Sequence, residues 1–119
     1  MSVRVYYGAQ LAAYGFGHGH PFGPDRLDAF WREAQHQGLD RQVEVGTPIA
    51  CTEDDLARFH TRDYIARVRT QSRTGEGYLD YGDTPAFPGV YEATSHVVGS
   101  VFDAVAAVLD GKCRRAFVP

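Results

Sequence analysis

The sequence predicts an α/β fold on a parallel or mostly parallel sheet with helices on its faces. Three observations lead there. Apolar segments arrive in the order strand, helix, strand, helices, helix, strand. The first segment, Val3 to Tyr7, is β-branched and aromatic, as a buried strand should be. The chain has 119 residues, room for one domain or for the opening part of a larger one. A content of 44% hydrophobic and 23% charged residues is that of a globular chain and excludes a disordered tail or a fibrous repeat.

After Val3 to Tyr7, the stretch Gly8 to Pro24 interleaves glycines and prolines with Tyr14, Phe16 and Phe22, and is expected to be a long packed loop. Pro24 and Asp25 suit the start of a helix whose Leu27, Phe30, Trp31 and Ala34 share one face and which ends near Gly38. Gln42 to Val45 reads as a short strand before Gly46 and Pro48. Thr52 with Asp55 resembles a capping box for a short helix over Glu53 to Arg58, and Thr61 can cap another that turns Tyr64, Ile65 and Val68 inward. Ser72 to Phe87 has no sustained periodicity and reads as a second long loop. From Val90 to Leu109 runs the longest helix, with Val90, Ala93, Val97, Val101, Val105 and Val108 on its expected inner side. Gly111 closes it, and Arg115 to Val118 reads as a last strand.

Twelve basic against fifteen acidic residues give a net charge of -3, without the positive field that draws a protein to nucleic acid or anionic lipid. Neither partner is expected. Cys51 and Cys113 are too few for a disulfide scaffold and show no Cys-x-x-Cys spacing. The N-terminus lacks the long apolar run of a signal peptide or spanning helix, so a cytoplasmic location is expected.

Several chemistries are excluded by spacing. Gly15, Gly17 and Gly19 do not complete a dinucleotide fingerprint, Gly111-Lys112-Cys113 is not a P-loop, and no G-x-S-x-G elbow occurs. His18 and His20 offer two nitrogens to a metal, yet a third ligand from His36, His60, His96 or a carboxylate has no recognisable spacing. Arg58, Arg62, Arg69 and Arg73 sit among Asp54, Asp55 and Asp63 and read as a solvated mixed face. The loop with Tyr78, Tyr81 and Asp83 either grips a substrate, its carboxylate accepting amide N–H groups between flanking aromatics, or simply holds an Asp that opens a turn before Pro85.

Three blocks resemble the zinc-dependent histone deacetylase superfamily. YGFGHGHPFGPDRL (Tyr14 to Leu27) resembles its first active-site loop, a Gly-rich aromatic run, then His-Pro, then a helix starting with Arg. The Phe after His-Pro favours the bacterial acetoin utilization branch. FHTRDYI (Phe59 to Ile65) and GDTPAFPGVYEATSHVVG (Gly82 to Gly99) resemble two later blocks, in the right order. The resemblance implies a three-layer α/β/α arginase/deacetylase-type domain over residues 1–119, its N-terminal part, and the hydrolysis of acetyl-lysine or related acylated amines with one zinc ion. In such chemistry the metal polarises carbonyl and water, a His pair moves protons and a Tyr serves the oxyanion.

By the same resemblance, Asp83 matches the rim aspartate that holds substrate backbone amides. Arg26 matches an arginine near an internal cavity, and His20 with Pro21 match residues packed near the tunnel floor. The Gly-Gly-Leu-His-His motif and the zinc ligands would follow Pro119. The expectation is therefore an N-terminal segment of a deacetylase, a fragment or the product of an interrupted reading frame. It would have no catalytic residue and no metal ligand of its own, and zinc would belong to the complete enzyme only. The acetylated lysine or amine would likewise be the complete enzyme's substrate. The alternative is a small non-catalytic module that binds a partner or dimerises through an exposed sheet edge.

Overall fold

The computed structural model describes residues 2–17 and 19–119. Its elements are β1 (Val3–Tyr6), α1 (Ala9–Ala12), α2 (Arg26–His36), β2 (Glu44–Gly46), α3 (Glu53–Leu56), α4 (Arg62–Thr74), α5 (Val90–Leu109) and β3 (Arg115–Phe117). The three strands form one parallel sheet in the order β2-β1-β3. Arg4, Val5 and Tyr6 lie opposite Glu44, Val45 and Gly46, while Val3, Arg4 and Val5 lie opposite Arg115, Ala116 and Phe117.

Side-chain alternation along β1 decides what covers each face. Arg4 and Tyr6 point to one side, where both reach the Asp103 carboxylate of α5. Tyr7 points to the other and stacks on Trp31 of α2 with ring centroids 4.6 Å apart; Phe117 follows it, edge-on to Phe30 at 5.5 Å. Helix, sheet and helix are thus three layers. This matches the expected α/β architecture with a parallel sheet covered on both faces. Tyr6 is fully buried against Leu11, Leu27 and Ala104, and its hydroxyl donates to Asp103, so a large ring enters the core without an orphaned polar tip.

Four local expectations need correction. The Gly8 to Pro24 loop contains α1, where the Gly8 carbonyl accepts from Leu11 and Ala12 and buries Leu11; one turn is too short to leave a periodic signature. The second strand lies at Glu44–Gly46 rather than Gln42 to Val45, because residues 40–42 form a 3-10 turn in which Gln42 donates to the Leu39 carbonyl. The expected Ser72 to Phe87 loop begins only at Gly75, whose φ of 72° ends α4. Ser72 is a buried helical residue instead. Its hydroxyl accepts from the Tyr91 N–H and donates to Glu92, which caps the first turn of α5 from outside, since Gly89 at the N-cap has no side chain to do so.

The fourth correction concerns α5. Val90 and Ala93 are buried as expected, but Val101, Val105 and Val108 are 44%, 51% and 39% exposed, and Gly99, Ser100, Ala104 and Ala107 are buried in their place. The helix packs through its small residues, which let neighbouring backbone approach closely. The Ser100 hydroxyl accepts from the Ile49 N–H, and the Ser95 carbonyl accepts from the Cys51 N–H. A Cβ on Gly99 would stand 2.0 Å from the Ile49 carbonyl oxygen. The valine side, with Leu109 and with Ala116, Phe117 and Val118 around β3, lines an open apolar recess of about 400 Å³. By length and composition α5 would also suit a bilayer, a test that core helices of globular proteins pass too.

Two stability predictions follow from this packing. Gly99→Ala pushes backbone against backbone and should cost about 2–3 kcal/mol, read as a lowered denaturation midpoint. Ser72→Ala should cost about 1 kcal/mol through the lost cap, with the loss seen as faster amide exchange in the first turn of α5.

Candidate substrate rim

Two loops meet beyond the C-terminal end of β1, where parallel α/β sheets carry their ligands. The first is held by an aromatic cluster and by its own backbone. Tyr14, Phe16, Phe22 and Phe87 pack mainly edge to face, with centroids 5.6–6.0 Å apart, and the Phe16 N–H donates to the Phe22 carbonyl at 2.7 Å. Phe16 is buried, and burial raises the Tyr14 phenol above its ordinary pKa.

The second loop is a tight hairpin. Tyr78 bridges Pro85 in antiparallel fashion, Leu79 donates to the Thr84 carbonyl, and Ala86 donates to that of Gly77. From α4, the Tyr64 hydroxyl donates to the Leu79 carbonyl at 2.9 Å and Arg67 to the Tyr78 carbonyl at 2.7 Å. At the tip, the Asp80 carboxylate accepts from the N–H groups of Gly82, Asp83 and Thr84 at 3.1, 3.0 and 2.9 Å. These bonds, that of Thr84 foremost and then that of Gly82, pull the Asp80 carboxyl down to about 2. Gly82 sits at a φ of 131°, a conformation that favours glycine.

His20 joins the loops. Its Nδ1 accepts from the Phe22 N–H at 3.0 Å, so the proton of the neutral ring is on Nε2, which donates to the Asp83 carbonyl at 3.0 Å. The Asp83 carboxylate is 3.6 Å from the same nitrogen and 89% exposed. Pro21 is exposed in the turn between His20 and Phe22. Arg26, the first residue of α2, is exposed with its guanidinium 3.8 Å from the centre of the Phe22 ring. The structure therefore brings His20 and Asp83 into contact, keeps Pro21 beside them and sets Arg26 one aromatic ring away. In the hairpin it is the Asp80 carboxylate, not that of Asp83, that closes the turn.

Asp80, Tyr64 and Arg67 are the residues that sequence reasoning missed. Asp80 had a signal, an Asp two residues before a Gly, which is an Asx-turn pattern. The arginine face is as expected: Arg62 pairs with Glu53 and Asp54, Arg69 with Glu53, and Arg58 lies near Asp55. An adjoining apolar cavity of about 560 Å³ lies among α3, α4, α5 and the hairpin, lined by Phe59, Val98 and Phe102 and, from the rim side, by Tyr14, Asp80 and Thr84; His20 and Asp83 do not line it.

Zinc does not fit the side chains of the described residues. Among the described residues no three His, Cys, Asp or Glu side chains converge on one point. His96 is bonded to the Glu92 carbonyl, His60 packs on Tyr64, and His36 is exposed on α2. His18, half of the metal pair weighed from the sequence, lies outside the described residues.

Fold and site together define an α/β unit that presents an acidic rim at the C-terminal end of a parallel sheet. The family model of the histone deacetylase domain matches residues 20–119. Histone deacetylase 1 of Oryza sativa subsp. japonica is 33% identical over 112 residues, covering 87% of this chain and 22% of that protein. Histone deacetylase RPD3 of Saccharomyces cerevisiae is 29% identical over 119 residues, covering 93% and 28%. In three dimensions the chain resembles the HD domain of HDA15 with a TM-score of 0.87 at 21% identity, over 98% of this chain and 34% of that one. The chain belongs to the histone deacetylase family. It spans 22% to 28% of the length of these two curated relatives.

The Asp80 bonds give a pH prediction. A carboxyl held below its ordinary value steadies the folded hairpin fully above the usual carboxylate range and loses that effect as pH falls through about 2. The amide signals of Gly82, Asp83 and Thr84 should therefore stay in place at pH 4 and move only as pH nears 2. A midpoint near 4 in a two-dimensional NMR titration would contradict the assignment.

Proposed function

We propose that this chain supplies the substrate rim and part of the tunnel wall of a zinc-dependent amide hydrolase. The complete enzyme would remove acetyl groups from acetyl-lysine or acetylated amines in the cytoplasm, and would stand in the acetoin utilization branch of the family. The observation that carries this reading is the junction of the two loops. Backbone bonds hold both sides of Asp83 while its carboxylate faces solvent, which suits it to accept N–H groups from a bound peptide. Phe22, directly after His20 and Pro21, supports the branch, and its ring is the surface on which Arg26 lies.

Hydrolysis of an amide needs a polarised carbonyl, an activated water and a group that moves protons. His20 has both ring nitrogens committed to backbone groups, and Asp80 is committed to three N–H bonds. This reading therefore assigns zinc and proton transfer to residues outside these 119. The open apolar recess between α5 and β3, together with the small share of each relative that the chain spans, supports that division. The same recess and sheet edge also suit a second copy of the chain, which is the alternative reading.

Mixing the purified chain with the complementary portion of a family deacetylase tests the assignment. The chain alone, with zinc, should leave an acetyl-lysine peptide intact, and the mixture should cleave it, with Asp83→Ala in the mixture raising KM by about tenfold or more. Turnover by the chain alone overturns the division. A stable dimer in sedimentation, with no gain of activity on mixing, favours the self-associating module.

A further inference from the structure

We propose that Asp80 and His20 are positioning residues that present the Asp83 carboxylate, each acting through the Asp83 backbone and from a different loop. The proposal rests on the rim reading given above and adds the means by which the rim is held.

A hairpin tip that follows a two-residue ladder is ordinarily mobile, and a mobile carboxylate loses ordering entropy when it binds. Here the tip is fixed at two points. Asp80 takes the Asp83 N–H together with those of its neighbours Gly82 and Thr84, so one carboxylate oxygen organises three consecutive amides. His20 takes the Asp83 carbonyl from the other side. In the neutral ring the Phe22 N–H occupies Nδ1, which places the proton on Nε2 and makes it the donor. Phe16, edge-on to the imidazole at 4.8 Å and buried, sets the ring's orientation. With both backbone groups of Asp83 engaged, the remaining freedom is its own side chain, which stands in solvent on a hairpin whose Tyr78 and Tyr81 are also exposed. Preorganisation of this kind converts a weak surface carboxylate into a directed acceptor.

The test uses the whole chain, with a short peptide carrying one Nε-acetyl-lysine as the probe. The neutral His20 ring should show the ¹⁵N signature of the Nε2–H tautomer. Asp80→Ala and His20→Ala should each speed amide exchange at residues 82–84 at least tenfold and weaken peptide binding by about tenfold, through the lost hydrogen bond to the Asp83 backbone. Asp80→Asn, which keeps the acceptor oxygen, and His20→Gln, which keeps a donor at the Nε2 position, should recover most of both effects. Both sites lie in loops, Asp80 exposed and His20 partly buried, and thermal melts check that the fold is kept.

A His20 ring protonated on Nδ1 overturns the proposal. So does wild-type peptide affinity in both Asp80→Ala and His20→Ala when Asp83→Ala has lost it, and the rim reading then stands alone. No detectable binding by the unaltered chain at millimolar peptide, or unchanged binding in Asp83→Ala, overturns the rim reading and the proposal with it.

Discussion

A parallel sheet has no face that can be left to water, and that constraint organises this chain. β1 is the central strand, flanked on both sides, and Tyr6 is its most deeply buried side chain. Covering its two faces fixes α2 on one side through Tyr7, Trp31, Phe30 and Phe117, and α5 on the other through Asp103 and Ala104. Once those helices are placed, the loop leaving β1 and the loop entering α5 emerge close together. The rim is a consequence of how the core is closed.

The strands and long helices were legible because their signals are local and repeated. Val3 to Tyr6 is β-branched and aromatic, Leu27, Phe30, Trp31 and Ala34 recur at helical spacing, and Thr52 and Thr61 each cap a helix as their positions suggest. What stayed hidden depends on partners distant in sequence. Periodicity marks an apolar side of α5 but cannot say which side the sheet takes, and close approach of residues 49–51 selects the small residues over Val101, Val105 and Val108. Ser72 looked like the opening of a loop because its real partners, Tyr91 and Glu92, are about twenty positions away.

The site was legible in a similar part. Asp83, His20, Pro21 and Arg26 came from a resemblance of motifs, and the folded chain brings the first two into contact across 63 positions of sequence. The residues that hold the rim were not visible. Tyr64 belongs to a motif that could be read only as an inward-facing helix residue, yet its hydroxyl anchors the hairpin at Leu79. Asp80 carried only the short-range hint of the glycine after it. Family membership and fold rest on most of the chain, whereas the proposed acetylated substrate is argued from one exposed carboxylate and its setting.

A structure of the chain with a bound acetyl-lysine peptide tests the central claim most directly. The account predicts a peptide N–H within about 2.7–2.9 Å of an Asp83 carboxylate oxygen, with the acetyl-lysine directed toward the Phe16 and Phe22 cluster. A peptide seated instead in the apolar cavity beside Phe59 and Phe102, with Asp83 untouched, would contradict it.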